Sequence, residues 1–368
     1  MTIVGGLDVH RRQITFDYLD TETAEVRRGR VAGYRGAFRT WLEQIVERPA
    51  VFALEGCTGW RYVVEELQRA GMEAHLAEPA DTAALRGPKR RAKTDGLDAR
   101  HLRELLMAGT LPESWIPPEH VQEMRLRVRL YKDLQDGRIS WQQRLQAICF
   151  HQGLPQATHV LVAERRRSLA DGDGLSPAAQ QAVDVALRQI DALGAELDQL
   201  RDGFTEFARR QPGCRALTAE YGVGSVTAVA IWAELGDCRR FSSSRDAVRH
   251  SGLDVTVHSS DSKRARGHLS RQGPPVLRWA LYEAAQCGAR TGSPDHAYYS
   301  GVKDRLSGNR AALSLARKLV RRAHHRLRAL GDDAFACGYV PPVKYDPAQW
   351  SAGAGAACEA MALSGQTA

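Results

Sequence analysis

The sequence predicts an α/β domain at the N-terminus followed by a mainly helical remainder. Short apolar runs ending in acids surround a helical stretch early in the chain, and two long apolar stripes at helical spacing fill its middle. Ile3 to Val9 reads as a buried strand carrying Asp8 near its end. Gln13 to Leu19 and Ala24 to Val31 read as two more strands, giving an antiparallel meander. Tyr34 to Val46 then reads as a helix, and Ala50 to Leu54 as a short buried strand ending at Glu55-Gly56. An acid directly after a buried strand lies at the carboxyl edge of the sheet, where open α/β folds build their sites. Asp8 and Glu55 are therefore expected to converge.

Lys93-Thr94-Asp95-Gly96-Leu97-Asp98 begins a further helix, with Thr94 as its cap. Asp95 and Asp98, three residues apart, share a face. Taken singly, each of these acids reads as an ordinary surface charge. Jointly, their placement at strand ends and a helix start points to one pocket. Four carboxylates there repel unless a hard cation neutralises them, and oxygen ligands suit Mg²⁺, with Mn²⁺ as the alternative. Two such ions about 3.5–4 Å apart stabilise the attacking and leaving oxygens of a phosphodiester.

Prolines between Leu111 and Pro118 close this first domain, residues 1–110. Over 118–210, Val121, Met124, Val128, Tyr131, Leu134, Trp141, Leu145 and Ile148 mark one long helix, with Gly137 as a weak point. Ser176-Pro177 supplies the cap and first turn of a second helix, striped from Val183 to Phe207. Together they predict a coiled-coil hairpin, serving as a spacer or a dimerisation surface. Residues 211–335 form a C-terminal helical domain whose Tyr221-Gly222-Val223-Gly224-Ser225-Val226 segment resembles the turn of a helix-hairpin-helix. Ser242 to Ser244 read as caps. Ser270 sits between Gly267 and Gly273, ahead of a helix from Val276 to Ala285, with no obvious base beside it. On the residues alone it reads as another cap. An Arg-rich helix from Ala311 to Leu330 is either a nucleic-acid track or a solvated face, and the tail, 336–368, is expected to be disordered.

With 51 Lys+Arg against 43 Asp+Glu in 368 residues, the net charge of +8 favours a polyanionic partner. The cations between Arg239 and Arg278 are opposed only by Asp246, Asp254 and Asp261, enough to neutralise several phosphates. Lys93, Lys263, Arg264, Arg266, Arg271 and Arg278 are the candidate nucleic-acid contacts. Seven cysteines without a C-x-x-C pair argue against a zinc module or a disulfide framework. No leader and no membrane-length apolar run is evident, so the expectation is a soluble cytoplasmic protein, nucleoid-associated when acting.

Gly6-Leu7-Asp8-Val9-His10, Leu54-Glu55-Gly56-Cys57-Thr58-Gly59 and Lys93 to Ala99 resemble, in order and spacing, the RuvC-like (RNase H-like) DEDD domain of certain bacterial insertion-sequence transposases. These are the Piv-like group, also described as bridge-RNA-guided serine recombinases. The resemblance continues through Pro212-Gly213, Gly222 to Ala228, Glu234 to Asp237, Ser251-Gly252-Leu253 and Gly267 to Gly273, ending at Leu277-Arg278. Departures are Arg11-Arg12 where a lysine is common, Cys57 in place of Ala or Ser, and the pair Pro274-Pro275. The resemblance implies that Asp8, Glu55, Asp95 and Asp98 bind the metal. It also implies that Ser270 attacks DNA to form a phosphoserine intermediate, which requires the two blocks to meet, in one chain or between protomers. Double-stranded DNA at element ends and target, a guide RNA, and a homodimer or tetramer are the implied partners. The alternative is a metal-dependent junction-resolving endonuclease in which water attacks. A third reading, a noncatalytic nucleic-acid-binding protein, leaves the acids structural.

Overall fold

The computed structural model describes residues 3–45, 49–86, 94–154, 174–255, 259–260, 263–264, 267–336 and 338. The chain divides into two compact units, Met1–Pro117 and Pro118–Ala368.

The first unit is an α/β sheet domain. Its elements are β1 (Ile3–Val9), β2 (Gln13–Asp20), β3 (Val26–Ala32), α1 (Arg35–Leu42), β4 (Ala50–Glu55), α2 (Trp60–Arg69), β5 (Glu73–Ala77), α3 (Pro79–Ala84), α4 (Asp95–Met107) and β6 (Glu113–Ser114). The sheet order is β3-β2-β1-β4-β5-β6. The first three strands form the expected meander, β4 and β5 add in parallel, and β6 closes the edge antiparallel. β5 and α2 carry no acid at a strand end and were not anticipated from the sequence.

Strand periodicity sorts the side chains of β1 and β4 onto two faces. Ile3, Leu7 and Val9, with Phe52 and Leu54, enter a core completed by Phe38 of α1 and by Val63, Val64 and Leu67 of α2. The opposite face takes Ala53 and Ala77 against Leu102 of α4. Asp8 and Glu55 belong by alternation to this second face. Because Leu7 pairs with Leu54 in parallel register, the two acids emerge side by side.

Gly6 is where α4 meets the sheet. A Cβ there would lie 2.0 Å from the carbonyl oxygen of Ala99, so only glycine lets the helix come so close. Beside it, buried Asp17 of β2 accepts from Arg103 Nε of α4 at 2.6 Å and from Arg28 Nε at 2.7 Å, fixing the helix's rotation. On the other face, buried Glu66 of α2 takes hydrogen bonds from Arg39, Arg35 and Arg69, and these push its pKa down to about 2 against the opposing effect of burial.

The second unit is mostly helical. It holds α5 (Glu119–His151), α6 (Pro177–Arg210), α7 (Pro212–Thr218), α8 (Ser225–Leu235), α9 (Ser244–His250), α10 (Pro275–Gln286), α11 (His296–Arg305) and α12 (Gly308–Leu330), with a two-stranded ribbon of β7 (Ser259–Ser260) and β8 (Lys263–Arg264). α5 and α6 run antiparallel: Tyr131 meets Phe204 edge to face, while Leu145 and Cys149 pack against Val183, Ala186 and Ile190. The weak point expected at Gly137 is absent. α5 passes through it unbroken, and a Cβ there would only touch Leu193 at 3.6 Å. Ser176 and Ser243 cap α6 and α9 as expected, the latter in a capping box with Asp246.

Around α8 the core closes on Trp232, which is fully buried and donates from Nε1 to the Ala334 carbonyl at 2.8 Å. Buried Glu234 of the same helix pairs with Arg129 at 3.0 Å, and Arg125 donates to the Ala233 carbonyl at 2.7 Å. The Arg-rich helix α12 is neither a free track nor a plain solvated face. Arg317 donates to the Leu253 carbonyl, Lys318 and Arg322 to Asp295, Arg326 to Glu220, and Arg328 to the Phe241 carbonyl. Its cations tie neighbouring segments together.

Two substitutions test this frame. Gly6→Ala is expected to push α4 off β1 and cost on the order of 2 kcal/mol in urea unfolding, with full loss of fit at the acids that α4 carries. Glu66→Gln leaves three arginines facing a neutral group and is expected to cost on the order of 3 kcal/mol at pH 7. Since the Glu66 pKa is depressed when folded, its stabilisation is complete above the ordinary glutamate range and fades as pH falls toward about 2, so the two proteins should converge in acid.

Candidate functional site

The α4 side of the sheet edge gathers the four predicted acids. Asp8 comes from β1 and Glu55 from the end of β4, while Asp95 and Asp98 open α4. Thr94 caps that helix, its side chain accepting from the Leu97 N–H. Carboxylates in a first helical turn are favoured by the positive end of the helix dipole, so α4 tolerates both. Asp98 and Asp8 form the floor, at 13% and 15% side-chain exposure, with Asp95 at the mouth at 38%.

Three residues that sequence reasoning did not assign to the site complete it. His10 lies 3.0 Å from Asp8 Oδ2 and 3.7 Å from Asp95 Oδ1 through its Nε2. Gln13 donates from Nε2 to Asp95 Oδ2 at 3.0 Å. Arg86, just past α3, forks across the other pair, donating to Asp98 Oδ1 and, at 3.2 Å, to Glu55 Oε1. His10 was visible in the motif, two residues past Asp8. Nothing local marks Gln13 or Arg86, which arrive through strand pairing and the turn after α3. Burial raises the Asp8 pKa, opposed by His10 and reinforced by the charges of Asp98 and Asp95. Burial also pushes the neighbouring Cys57 thiol up, so it is a neutral packing group beside the acids.

A divalent ion fits this donor set. Ligand atoms of Asp8, His10 and Asp95 all lie within 4.8 Å of one another. Carboxylate oxygens with one imidazole suit an ion of the Mg²⁺ and Mn²⁺ class.

In the second unit, Ser270 occupies a strained loop. Its N–H donates to the Asp254 carbonyl at 3.0 Å, and Val255 bridges Leu269 antiparallel. Arg271 takes a left-handed φ of +52°, which is uncommon outside glycine. Gly273, at φ +125°, passes so near His250 that a Cβ would sit 2.0 Å from its carbonyl oxygen. The expectation that no base stands beside Ser270 is corrected here: its hydroxyl donates to the Asp254 carboxylate. Asp254 lies sixteen residues upstream and meets Ser270 only because the loop folds back on itself. Arg317 stands behind the pair, bonded to the Leu253 carbonyl at 2.6 Å, with its charge acting on Asp254.

Among the basic candidates, Arg271 is exposed, whereas Arg278 spends Nη1 on the carbonyls of Gly273 at 2.8 Å and Ser251 at 3.4 Å. Lys263 and Arg264 form β8. Lys93 and Arg266 lie outside the described residues.

Comparison with known proteins matches both halves. The family described as Transposase IS116/IS110/IS902 matches residues 214–300, and the DEDD transposase domain of the IS110 type matches residues 5–150. In both matched blocks the chain is similar to IS110/IS116 family transposases. Its relatives include the y4rJ transposase protein of Sinorhizobium fredii, 28% identical over 305 residues, which are 77% of this chain and 76% of that one. A family 20 transposase of Pseudomonas aeruginosa is 24% identical, covering 86% of this chain and 94% of its own. The transposase for insertion sequence element IS1328 of Yersinia enterocolitica is 22% identical, covering 74% and 82%.

The transposase is thus a DNA-cutting and rejoining enzyme, and its DEDD-type domain makes it dependent on a divalent metal. Among the described residues, no helix is long and apolar enough to cross a membrane.

The raised Asp8 pKa carries a sign that can be checked. The unfolded chain releases this proton at lower pH than the folded one, so without metal the ionisation of Asp8 destabilises the fold as pH rises above the ordinary aspartate range. Metal-free Asp8→Asn transposase is therefore expected to melt higher than wild type at pH 7, while its Mn²⁺ affinity falls by about tenfold or more in calorimetric titration.

Proposed function

We propose that this transposase moves an insertion-sequence element by serine-linked strand exchange. Asp8, Glu55, Asp95 and Asp98 hold the divalent metal, and Ser270 is the nucleophile. The observation that carries the reading is the hydroxyl of Ser270 donating to the Asp254 carboxylate, within a loop held in a left-handed turn at Arg271. A serine hydroxyl is a weak nucleophile until a base takes its proton, and a carboxylate already accepting that proton is oriented to do so.

In the proposed step the Ser270 Oγ–P bond forms as the P–O3′ bond breaks. The serine proton passes to Asp254, and the departing 3′-oxygen leaves as a hydroxyl after protonation. The later attack of a 3′-hydroxyl on the phosphoserine restores a phosphodiester and frees Ser270. A bound divalent ion supplies charge stabilisation at the phosphoryl oxygens. His10 and Gln13 hold Asp8 and Asp95 in place for it.

Burial lowers the Arg278 pKa, and the nearby charge of Arg271 lowers it further. A DNA phosphate between them relieves that repulsion, so both are proposed phosphate contacts, with Lys93, Lys263, Arg264 and Arg266 as further ones. Gly222, at φ +86°, and Gly224, the cap of α8, form the turn proposed as a helix-hairpin-helix element that meets the backbone of DNA. The antiparallel pair of α5 and α6 is read as a coiled-coil hairpin. Leu126 and Leu130, exposed one turn apart on α5, favour its use in a dimer or tetramer. By family resemblance, an RNA from the element's noncoding end selects donor and target.

The test is to incubate wild type and Ser270→Ala with Mg²⁺, element-end DNA and the noncoding RNA, and to look for a protein–DNA adduct on a denaturing gel. An adduct in wild type alone, formed only with the RNA, is expected. Cleavage by Ser270→Ala without an adduct would instead favour the junction-resolving nuclease, in which the quartet activates water. Asp254→Asn is expected to slow adduct formation by about 100-fold while leaving DNA affinity unchanged in a gel-shift assay.

A further inference from the structure

The four carboxylates of the metal site are divided between two different nitrogen-bearing partners, His10 and Arg86. Asp8 and Asp95 face the imidazole of His10, with Gln13 steadying Asp95. Glu55 and Asp98 face the guanidinium of Arg86, whose two terminal nitrogens each take one oxygen, Oδ1 of Asp98 and Oε1 of Glu55. A divalent ion held by Glu55 and Asp98 would compete with the guanidinium for the carboxylates of both. Guanidinium and ion are both cations, so repulsion adds to that competition.

Among the described residues, the hydrogen bonds Arg86 makes from its guanidinium go to the two acids. Its Nε is buried and has no hydrogen-bond partner among the described residues. A buried N–H left unmade costs free energy, so the two charge-assisted bonds to Glu55 and Asp98 fix this rotamer against that cost. The Asp8 half differs in kind. Its ligand atoms cluster within 4.8 Å, and its nitrogen donor is an imidazole able to share a lone pair with a metal.

We infer that Arg86 stands in for one of the two cations of the DEDD site, so that the resting transposase holds a single divalent ion on Asp8, His10 and Asp95. A second ion enters only when Arg86 withdraws. Arg86 is thereby a positioning residue that sets metal stoichiometry, and His10 is an additional ligand that tilts the first site toward Mn²⁺ over Mg²⁺. The inference rests on the quartet being the metal site, and the experiment separates the two.

Mn²⁺ is titrated into the full-length chain without nucleic acid, with free ion followed by electron paramagnetic resonance and total heat by calorimetry. Wild type is expected to bind one Mn²⁺ tightly and a second at least about tenfold more weakly. In Arg86→Gln the second ion tightens by about tenfold while the first changes little, and in His10→Gln the first weakens by about tenfold and the second holds. Two equivalent ions in wild type, equal tightening of both ions in Arg86→Gln, or an unchanged first ion in His10→Gln overturns the inference. Arg86→Lys keeps the charge but loses the fork to two carboxylates. It should show an intermediate second affinity, and serves if Arg86→Gln fails to give a native circular dichroism spectrum; a wild-type second affinity in that variant overturns the inference too. Mn²⁺ binding that Asp8→Asn leaves intact instead removes the quartet as the metal site, and this inference with it.

Discussion

The first unit depends on how closely α4 lies on β1. Gly6 removes the one Cβ that would hold the helix away from the strand, and the Asp17–Arg103 pair fixes its rotation. With depth and rotation set, the first turn of α4 brings Asp95 and Asp98 over the edge where Asp8 and Glu55 emerge. A buried ion pair contributes little net stability compared with an apolar isostere, because desolvation offsets most of its attraction. What the Asp17–Arg103 pair supplies is a unique orientation, and the cluster of four acids depends on that orientation. The site itself works against the fold, since like charges and burial both raise the Asp8 pKa. The apolar core on the opposite face of the sheet, with the Glu66 cluster binding α1 to α2, offsets that repulsion.

The sequence reveals an acid when a strand or a cap marks it. β1 and β4 are near-continuous apolar runs, so they read as buried strands, and the acid that ends each run stands out against them. Asp95 and Asp98 follow a capping threonine, which locates the helix start and so the shared face. These signals are local. β5 and α2 were not legible because Glu73 to Ala77 is short and mixed, and because α2 hides its apolar face among charges whose partners include Arg35 and Arg39 of α1. Arg86 could not be read at all as a site residue. It is one cation in a basic stretch, and its meaning comes from two carboxylates 31 and 12 residues away.

Ser270 illustrates the same limit in the helical unit. From the sequence it is a serine between glycines ahead of a helix, which is how a cap looks. Its distinguishing partner, Asp254, is reached through a bridge between Val255 and Leu269 that no periodicity announces. The cations of α12 show the converse error. A run of arginines along a helix looks like a nucleic-acid surface, but Arg317, Arg322, Arg326 and Arg328 each have a partner within the unit. Charge density in a sequence measures how many cations are present and not how many remain for a ligand.

This division of cations bears on how the enzyme meets DNA. With Arg317, Arg322, Arg326 and Arg328 of α12 bonded within the unit, the proposed phosphate contacts are residues such as Arg271 and Arg278, whose charges repel. The same logic distinguishes Arg86 from the arginines of α12. Arg322 and Arg326 bond acids that have no chemical task assigned, so holding them has no cost for activity. Arg86 bonds two of the four acids proposed to hold the divalent ion, and among the described residues its Nε has no partner. An interaction that occupies reactive groups at an energetic cost to the residue making it is poorly explained as scaffolding. It is better explained as one state of a site that has two.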